Sequence, residues 1–294
     1  MKIATAAYPL DPLPDWAAYK TKLTDWVSNA AGQGAELLVF PEYGALELSM
    51  LAGPEAAGDL EGCLRATSDL MADVDDLHAD LAAQFGVHIL GASAPVFDDE
   101  LGPRPVNRAS FFAPGGGRAS QDKQIMTRFE RTPWDVAPGG KLQVFDTALG
   151  KIAILICYDS EFPMLARAVN DAELLLVPSC TDTLAGYSRV RIGSMARALE
   201  AQCISVMSSI VGDAPWSPAV DVNVGMGGIF GPPDTGFPAT GVIAEGVMNQ
   251  PGWTIGEVDL ARVAHVRADG GVLNRAHWAD QGGRDTPPPL VPLR

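Results

Sequence analysis

One cysteine stands where a strand is expected to give way to a helix, a position suited to nucleophilic chemistry. Cys157 follows the apolar run 152–156, which is typical of a buried strand. Pro163 suits the first turn of the next helix, since proline needs no backbone donor there, and Asp159 or Ser160 could cap that helix. A helix N-terminus lowers the pKa of a nearby thiol and favours the thiolate. Taken alone, this stretch is more typical of a buried structural cysteine.

Two further polar side chains follow predicted strands. Glu42 comes just after the strand predicted for 36–40, and Lys123 ends the strand predicted to begin near residue 119. Taken singly, each side chain would be interpreted as ordinary surface charge. Ligands of α/β sheets bind beyond the carboxyl ends of the strands, where all three side chains are expected. Cleavage of an amide C–N bond needs a nucleophile, a proton carrier and stabilisation of an oxyanion, and a thiol, a carboxylate and an ammonium group supply these.

Helices alternate with buried strands along most of the chain, which predicts an α/β sandwich. Two segments, 53–62 and 128–134, are predicted to be loops, and 87–96 is predicted to be one strand. No linker or repeat divides the chain, so we predict one domain over residues 1–266. The remaining residues, 267–294, are rich in Gly, Pro and charge, and we interpret them as a C-terminal arm that packs on the domain or on a partner subunit.

Composition excludes several classes of partner. The 294 residues carry a net charge of −15, which argues against nucleic acid and anionic membranes. No segment approaches the roughly 20 apolar residues of a membrane span, and the apolar start is too short for a signal peptide. The four cysteines show no Cys-x-x-Cys spacing, so we expect a reducing cytoplasm, free thiols and no cofactor.

Three stretches, in this order, resemble the nitrilase superfamily of carbon–nitrogen hydrolases: Phe40-Pro41-Glu42-Tyr43, Lys123 followed by Glu130, and Ile156-Cys157-Tyr158-Asp159-Ser160-Glu161-Phe162-Pro163. The segments 197–200 and 228–232 also look like the family, so the resemblance covers roughly residues 2–259. It implies a four-layer α-β-β-α sandwich that usually dimerises. We therefore expect a homodimer or a higher homo-oligomer.

The resemblance also implies a role for each residue. Cys157 would attack the carbonyl carbon and form a thioester, and Glu42 would carry the proton. Lys123 would hold the oxyanion, helped by the backbone N–H of Tyr158. Glu130, seven residues after Lys123, would orient the lysine and the substrate. Tyr8 and the segment 124–126 depart from the family pattern near the expected pocket, so the resemblance does not identify the substrate.

Tyr158-Asp159 after the nucleophile resembles the amidase side of the family, which favours a small-molecule amide over a nitrile. Hydrolysis of N-carbamoyl amides is an alternative, although Ser160-Glu161 replaces the arginine-rich signature of some carbamoyl hydrolases. A nitrilase on the same Glu-Lys-Cys site is a further alternative.

Two other classes of protein compete with this interpretation. A Cys-His-Glu hydrolase of the glutamine amidotransferase kind needs a histidine at a strand end, but the histidines are scattered over positions 78, 88, 265 and 277. The same scatter argues against a metal site. A catalytically silent binding protein on this fold would normally have lost one of the three reacting groups, and none is lost here.

Overall fold

The structure, a computed structural model, describes residues 1–293. Within them, 14 strands, β1 to β14 in chain order, are Lys2–Pro9, Leu37–Val39, His88–Leu90, Ala94–Val96, Val106–Phe112, Arg118–Asp122, Phe145–Thr147, Gly150–Ile154, Leu174–Ser179, Ile204–Asp213, Val222–Asn223, Gly228–Phe230, Val242–Glu245 and Gly252–Glu257. The α-helices, α1 to α7, are Trp16–Gly32, Pro54–Gly58, Leu60–Phe85, Arg128–Arg131, Pro163–Ala168, Leu184–Ala201 and Leu260–Asp269. Shorter 3₁₀ helices span Gly44–Ala52, Cys157–Glu161 and Ala276–Gln281.

The strands form a long curled sheet built around two β-α-β units. Its order is β4-β5-β3-β2-β1-β10-β9-β8-β7, with β14 antiparallel to β1. Strands β1 and β2 are parallel and joined by α1, and β8 and β9 are parallel and joined by α5. The sequence predicted both units, because a parallel pair needs a crossover connection that a helix supplies.

The two halves of the sheet pack face to face. Alternate residues of β2 belong to different cores: Leu38 packs with the core of α1 and α3, whereas Leu37 and Val39 pack with the core of β8 to β10. Phe111 of β5 and Phe145 of β7 stack at 6.2 Å, although their strands lie near opposite ends of the strand order. This arrangement agrees with the predicted α-β-β-α layering, in which the strands are buried on both faces.

Three local predictions were wrong. The segment 53–62 is mostly helical, because it contains α2 and the start of α3, which Asp59 caps by accepting from the N–H of Gly62 at 2.8 Å. Within 128–134, α4 forms on a reciprocal capping box between Thr127 and Glu130. The single strand predicted for 87–96 is divided into β3 and β4.

The predicted cap of the helix after Cys157 is also wrong. Helix α5 begins at Pro163, as expected, but its N-cap residue is Phe162, which makes no side-chain cap. Asp159 instead accepts backbone N–H groups of the Lys123 loop, and the Ser160 hydroxyl donates to the Cys157 carbonyl at 2.7 Å. Both side chains are therefore committed elsewhere.

The C-terminal region begins inside a helix. Helix α7 continues past residue 266, and Arg267 in it donates to the carbonyls of Gln202 at 2.9 Å and Ala172 at 2.5 Å. Arg275 pairs with Asp171, whereas residues 279–293 are exposed. Over residues 1–293, every helix is too short or too polar to cross a lipid bilayer.

Candidate active site

The side chains that the sequence analysis singled out meet in one buried place. Glu42 follows β2, Lys123 follows β6, and Cys157 opens the 3₁₀ helix after β8. Glu130 reaches the same place from α4. The four residues are between 1% and 4% exposed, so their charged groups interact more strongly with one another than they would in water.

Lys123 lies between two carboxylates. Its Nζ donates to Glu42 Oε1 at 2.7 Å and to Glu130 Oε2 at 2.6 Å. Burial lowers the pKa of Lys123, but Glu130 and Glu42 outweigh burial and raise this pKa well above its usual value. Lys123 is therefore an ammonium group, and one of its three N–H bonds is left for a ligand.

Glu130 is held more tightly than a surface residue could be. Besides Lys123, it accepts from the N–H and hydroxyl of Thr127, both at 2.8 Å, and from the hydroxyl of Tyr43 at 2.9 Å. Burial raises the pKa of Glu130, but Lys123 and these donors outweigh burial, so that the pKa falls below its usual value. Glu130 is thus a permanent anion that fixes the position of the lysine.

Glu42 has the electrostatics of a general base. Its Oε1 accepts from Lys123 and, at 3.0 Å, from Asn107 Nδ2, and its Oε2 accepts from the N–H of Cys180 at 3.0 Å. The pKa of Glu42 is raised to about 7, and burial is the largest cause. Lys123 lowers this pKa, whereas Glu130 raises it further. A carboxylate that titrates near neutrality can accept and return a proton at physiological pH.

Cys157 departs from one expectation. Burial, followed by the charge of Glu42, raises the pKa of its thiol well above the usual value, so the predicted thiolate is wrong. The α-helix that was expected to stabilise a thiolate begins only at Pro163. Cys157 has a φ of 49°, in the left-handed region that is uncommon for a residue with a side chain and frequent at functional sites. A thiol in this state must lose its proton before it can act as a nucleophile.

The backbone N–H of the next residue has no partner within its own helix. Tyr158 lies in the first turn of the Cys157–Glu161 3₁₀ helix, and the opening N–H groups of a helix have no partner within it. Its ring packs edge-on against Phe162, with the ring centroids 4.8 Å apart. The side chain is thus anchored away from the backbone donor that the sequence analysis singled out.

Several residues that hold the site were missed by sequence reasoning. Asn107 contacts both carboxylates, and Asp159 accepts from the N–H of Gln124 at 3.0 Å and of Ile125 at 2.8 Å. Asp159 thereby ties the Cys157 turn to the loop that carries Lys123. A capping-box pattern at 127–130 could have revealed α4, but no local pattern marks Asn107, which contacts Glu42 across 65 positions.

The described residues offer little support for the competing sites. No group of three or more His, Cys, Asp or Glu side chains in residues 1–293 is arranged to hold a metal ion. Over the same residues, no histidine hydrogen-bonds to Glu42, Lys123 or Cys157, as a Cys-His-Glu site would require. The buried His78 instead bonds to the Val74 carbonyl at 2.9 Å.

Comparison with known proteins identifies the class. Residues 2–267 match the carbon–nitrogen hydrolase family, and the chain belongs to that family. The resemblance to the nitrilase superfamily is thereby confirmed.

Individual relatives agree with this assignment. The chain is 34% identical over 274 residues to a "Probable hydrolase YhcX" of Bacillus subtilis, which covers 92% of this chain and 52% of the relative. It is 26% identical over 187 residues to an "Omega-amidase NIT2-B" of Xenopus laevis, which covers 60% of this chain and 63% of the relative. The chain thus spans about half the length of the first relative and less than two thirds of the second.

Among solved structures, Saccharomyces cerevisiae Nit3, "a member of branch 10 of the nitrilase superfamily", superposes with a TM-score of 0.70 at 21% identity. The match covers 91% of this chain and 93% of Nit3. This likeness confirms the predicted nitrilase-type α/β fold.

Proposed function

We propose that this protein hydrolyses a small amide through a thioester on Cys157, with Glu42 as the proton carrier and Lys123 as the oxyanion holder. The observation that carries the proposal is the pairing of a protonated thiol with a buried carboxylate whose pKa is about 7. Such a pair can transfer a proton at the moment of attack, which an exposed pair would do less efficiently.

In the first half of the reaction, Cys157 Sγ bonds to the amide carbonyl carbon while Glu42 takes the thiol proton. The carbonyl oxygen gains negative charge, which the free N–H of Lys123 and the backbone N–H of Tyr158 stabilise. The C–N bond then breaks as Glu42 returns the proton to the nitrogen. Ammonia or an amine leaves, and the acyl group remains on Cys157 as a thioester.

In the second half, water attacks the thioester and Glu42 removes one of its protons. The C–S bond breaks, and the proton returns to the Cys157 sulfur. The carboxylic acid leaves, and the resting enzyme is regenerated. Glu130 stays ionised throughout, because its depressed pKa keeps it from taking the proton intended for Glu42.

An amide is the favoured substrate for two reasons. Tyr158-Asp159 follows the nucleophile, as on the amidase side of the family, and two of the relatives are named as an omega-amidase and a deaminated glutathione amidase. Lys123 lies between two carboxylates, so the three side chains together offer no net positive charge to a substrate carboxylate, which favours an uncharged amide. No cofactor or metal takes part in the proposed steps.

The test is a panel of small amides, N-carbamoyl compounds and nitriles, read by release of ammonia. We expect turnover of amides, and a Cys157→Ala variant should lose at least about 10³-fold in kcat because the nucleophile is gone. Cys203→Ala is the matched control, since Cys203 is a buried free thiol outside the site and its loss should leave kcat unchanged. Turnover of nitriles alone, or an active Cys157→Ala variant, would refute the proposal. Activity on carbamoyl compounds alone would favour the alternative.

The protein is further proposed to act as a homodimer that joins through α5 and α6. Met164 on α5 is 71% exposed and Ile192 on α6 is 65% exposed, so each helix carries apolar surface beyond the face that packs on the sheet. A second copy of the chain would cover this surface.

A further inference from the structure

A fully buried asparagine joins the two carboxylates of the site. Asn107 Nδ2 lies 3.0 Å from Glu42 Oε1 and 3.4 Å from Glu130 Oε1, and the residue is 0% exposed. We infer that Asn107 is a positioning residue that makes Oε2 of Glu42 the oxygen that receives the Cys157 proton. This inference rests on the proton transfer from Cys157 to Glu42 in the proposed function.

The orientation of the Asn107 amide is determined by its neighbours. The backbone N–H of Tyr43 donates to Ser93 Oγ at 3.0 Å, so the Ser93 hydroxyl hydrogen is free to donate to Asn107 Oδ1 at 2.6 Å. A flipped amide would direct its oxygen at the carboxylates of Glu42 and Glu130, which are acceptors. Both N–H bonds of the amide therefore point to the carboxylates.

The donors are unequally divided between the two oxygens of Glu42. Oε1 accepts from Lys123 at 2.7 Å and from Asn107 at 3.0 Å, whereas among the described residues the N–H of Cys180 is the one nitrogen donor to Oε2. Hydrogen bonds to an ionised oxygen stabilise its charged form, so the oxygen with fewer donors is the better proton acceptor.

The thiol and that oxygen contact the backbone of the same residue. Cys157 Sγ is 3.7 Å from the carbonyl of Cys180, and the N–H of the same residue donates to Glu42 Oε2. The backbone of Cys180 thus contacts both partners of the transfer. The proton moves from Cys157 Sγ to Glu42 Oε2, and Asn107 keeps Oε1 occupied meanwhile.

Burial has the largest effect on the pKa of Glu42, and the titratable groups that face this carboxylate are Lys123, Glu130, Cys157, Tyr43 and Cys180. Asn107 and the backbone N–H of Cys180 donate hydrogen bonds to it. Without the Asn107 donor, the ionised form of Glu42 is less stable and its pKa rises above about 7. The base is then lost at a pH where the natural protein still has it.

The experiment measures the rate of Cys157 alkylation by iodoacetamide against pH, with the Cys157 peptide followed by mass spectrometry. The alkylation rate falls at low pH as Glu42 becomes protonated, and this fall is the acid limb of the profile. Asn107→Leu keeps the size of the side chain and removes the donor. We expect its acid limb to move up by about one pH unit, which corresponds to one lost hydrogen bond to a charged group. At pH values below the limb, Cys157 of the variant should be alkylated about tenfold more slowly than Cys157 of the natural protein, and above the limb the two rates should be equal. A purely structural defect would lower the rate at every pH.

Two further variants complete the test. Ser93→Ala leaves Asn107 in place but frees the amide to flip, so its limb should move in the same direction by less. Thr5→Val removes another fully buried hydrogen bond, from Thr5 Oγ1 to the Met207 carbonyl at 2.7 Å, and its limb should not move.

A limb at the natural pH in both Asn107→Leu and Ser93→Ala would overturn the inference, as would a loss that does not depend on pH. If Asn107→Leu fails to fold, the position of the limb in Ser93→Ala decides. Because alkylation needs no substrate, a limb that moves in a protein without amide turnover would refute the proposed function and support the role of Asn107.

Discussion

Replacing the buried lysine by methionine should reverse the way in which stability depends on pH. Lys123 Nζ is the cation between Glu42 and Glu130, at 2.7 and 2.6 Å. Lys123→Met keeps the length of the side chain but leaves two buried carboxylates without their counter-charge. Removal of one partner of a buried ion pair costs about 3–5 kcal/mol in the free energy of unfolding.

The sign follows from the pKa of each carboxyl group. The folded-state pKa of Glu130 is lowered, so its stabilising effect is present above its unfolded pKa, about 4.3, and is lost as pH falls through the folded value. The folded-state pKa of Glu42 is raised to about 7, so its effect is present at low pH and is lost as pH rises to about 7. Without Lys123, both groups follow the second pattern. The free energy of unfolding of the variant should therefore be only slightly lower than that of the natural protein at pH 5, and lower by about 3–5 kcal/mol at pH 8.

Urea unfolding at pH 5, 6.5 and 8, at one protein concentration, measures this deficit. The double variant Lys123→Met/Glu130→Gln removes one of the two stranded charges and should recover part of the loss at pH 8. Lys141→Met is the matched control, because Lys141 is exposed and its loss should change the free energy of unfolding by less than about 0.5 kcal/mol. An equal deficit at pH 5 and pH 8 would refute the electrostatic reasoning.

Two further predictions concern the turn after the nucleophile and the oligomer. Asp159→Asn should lower kcat/KM about tenfold, because it removes about one hydrogen bond between Asp159 and the loop after Lys123. The control is Asp182→Asn, at an exposed position, which should leave kcat/KM unchanged. An Asp159→Asn enzyme with natural kcat/KM would contradict this. Ile192→Asp should yield a monomer by light scattering at micromolar concentration, while the natural protein and Val247→Asp, which is changed at another exposed apolar site, remain dimeric. A natural protein with the mass of one chain would rule out the dimer.

Local patterns were sufficient to find the strands that precede Glu42 and Cys157, and to single out three residues that the fold then brings together. The apolar runs before Glu42 and Cys157 are continuous because their strands are buried on both faces, and such runs are visible without any knowledge of partners. Helix boundaries were predicted less well, as at the starts of α3 and α4, because the side chains that cap these helices are ordinary polar residues that also occur in loops.

The residue types at the ends of the strands follow from the sequence alone, and they were sufficient to indicate the family. The protonation and hydrogen bonding of those residues depend on the tertiary structure. The pKa of the Cys157 thiol is raised because the fold buries it beside Glu42, 115 positions earlier in the chain. Asn107 contacts Glu42, which follows β2, and Glu130, which lies on α4, and the fold alone brings these residues together. Charge and hydrogen bonding act through distance and solvent exclusion, which no spacing along the chain records.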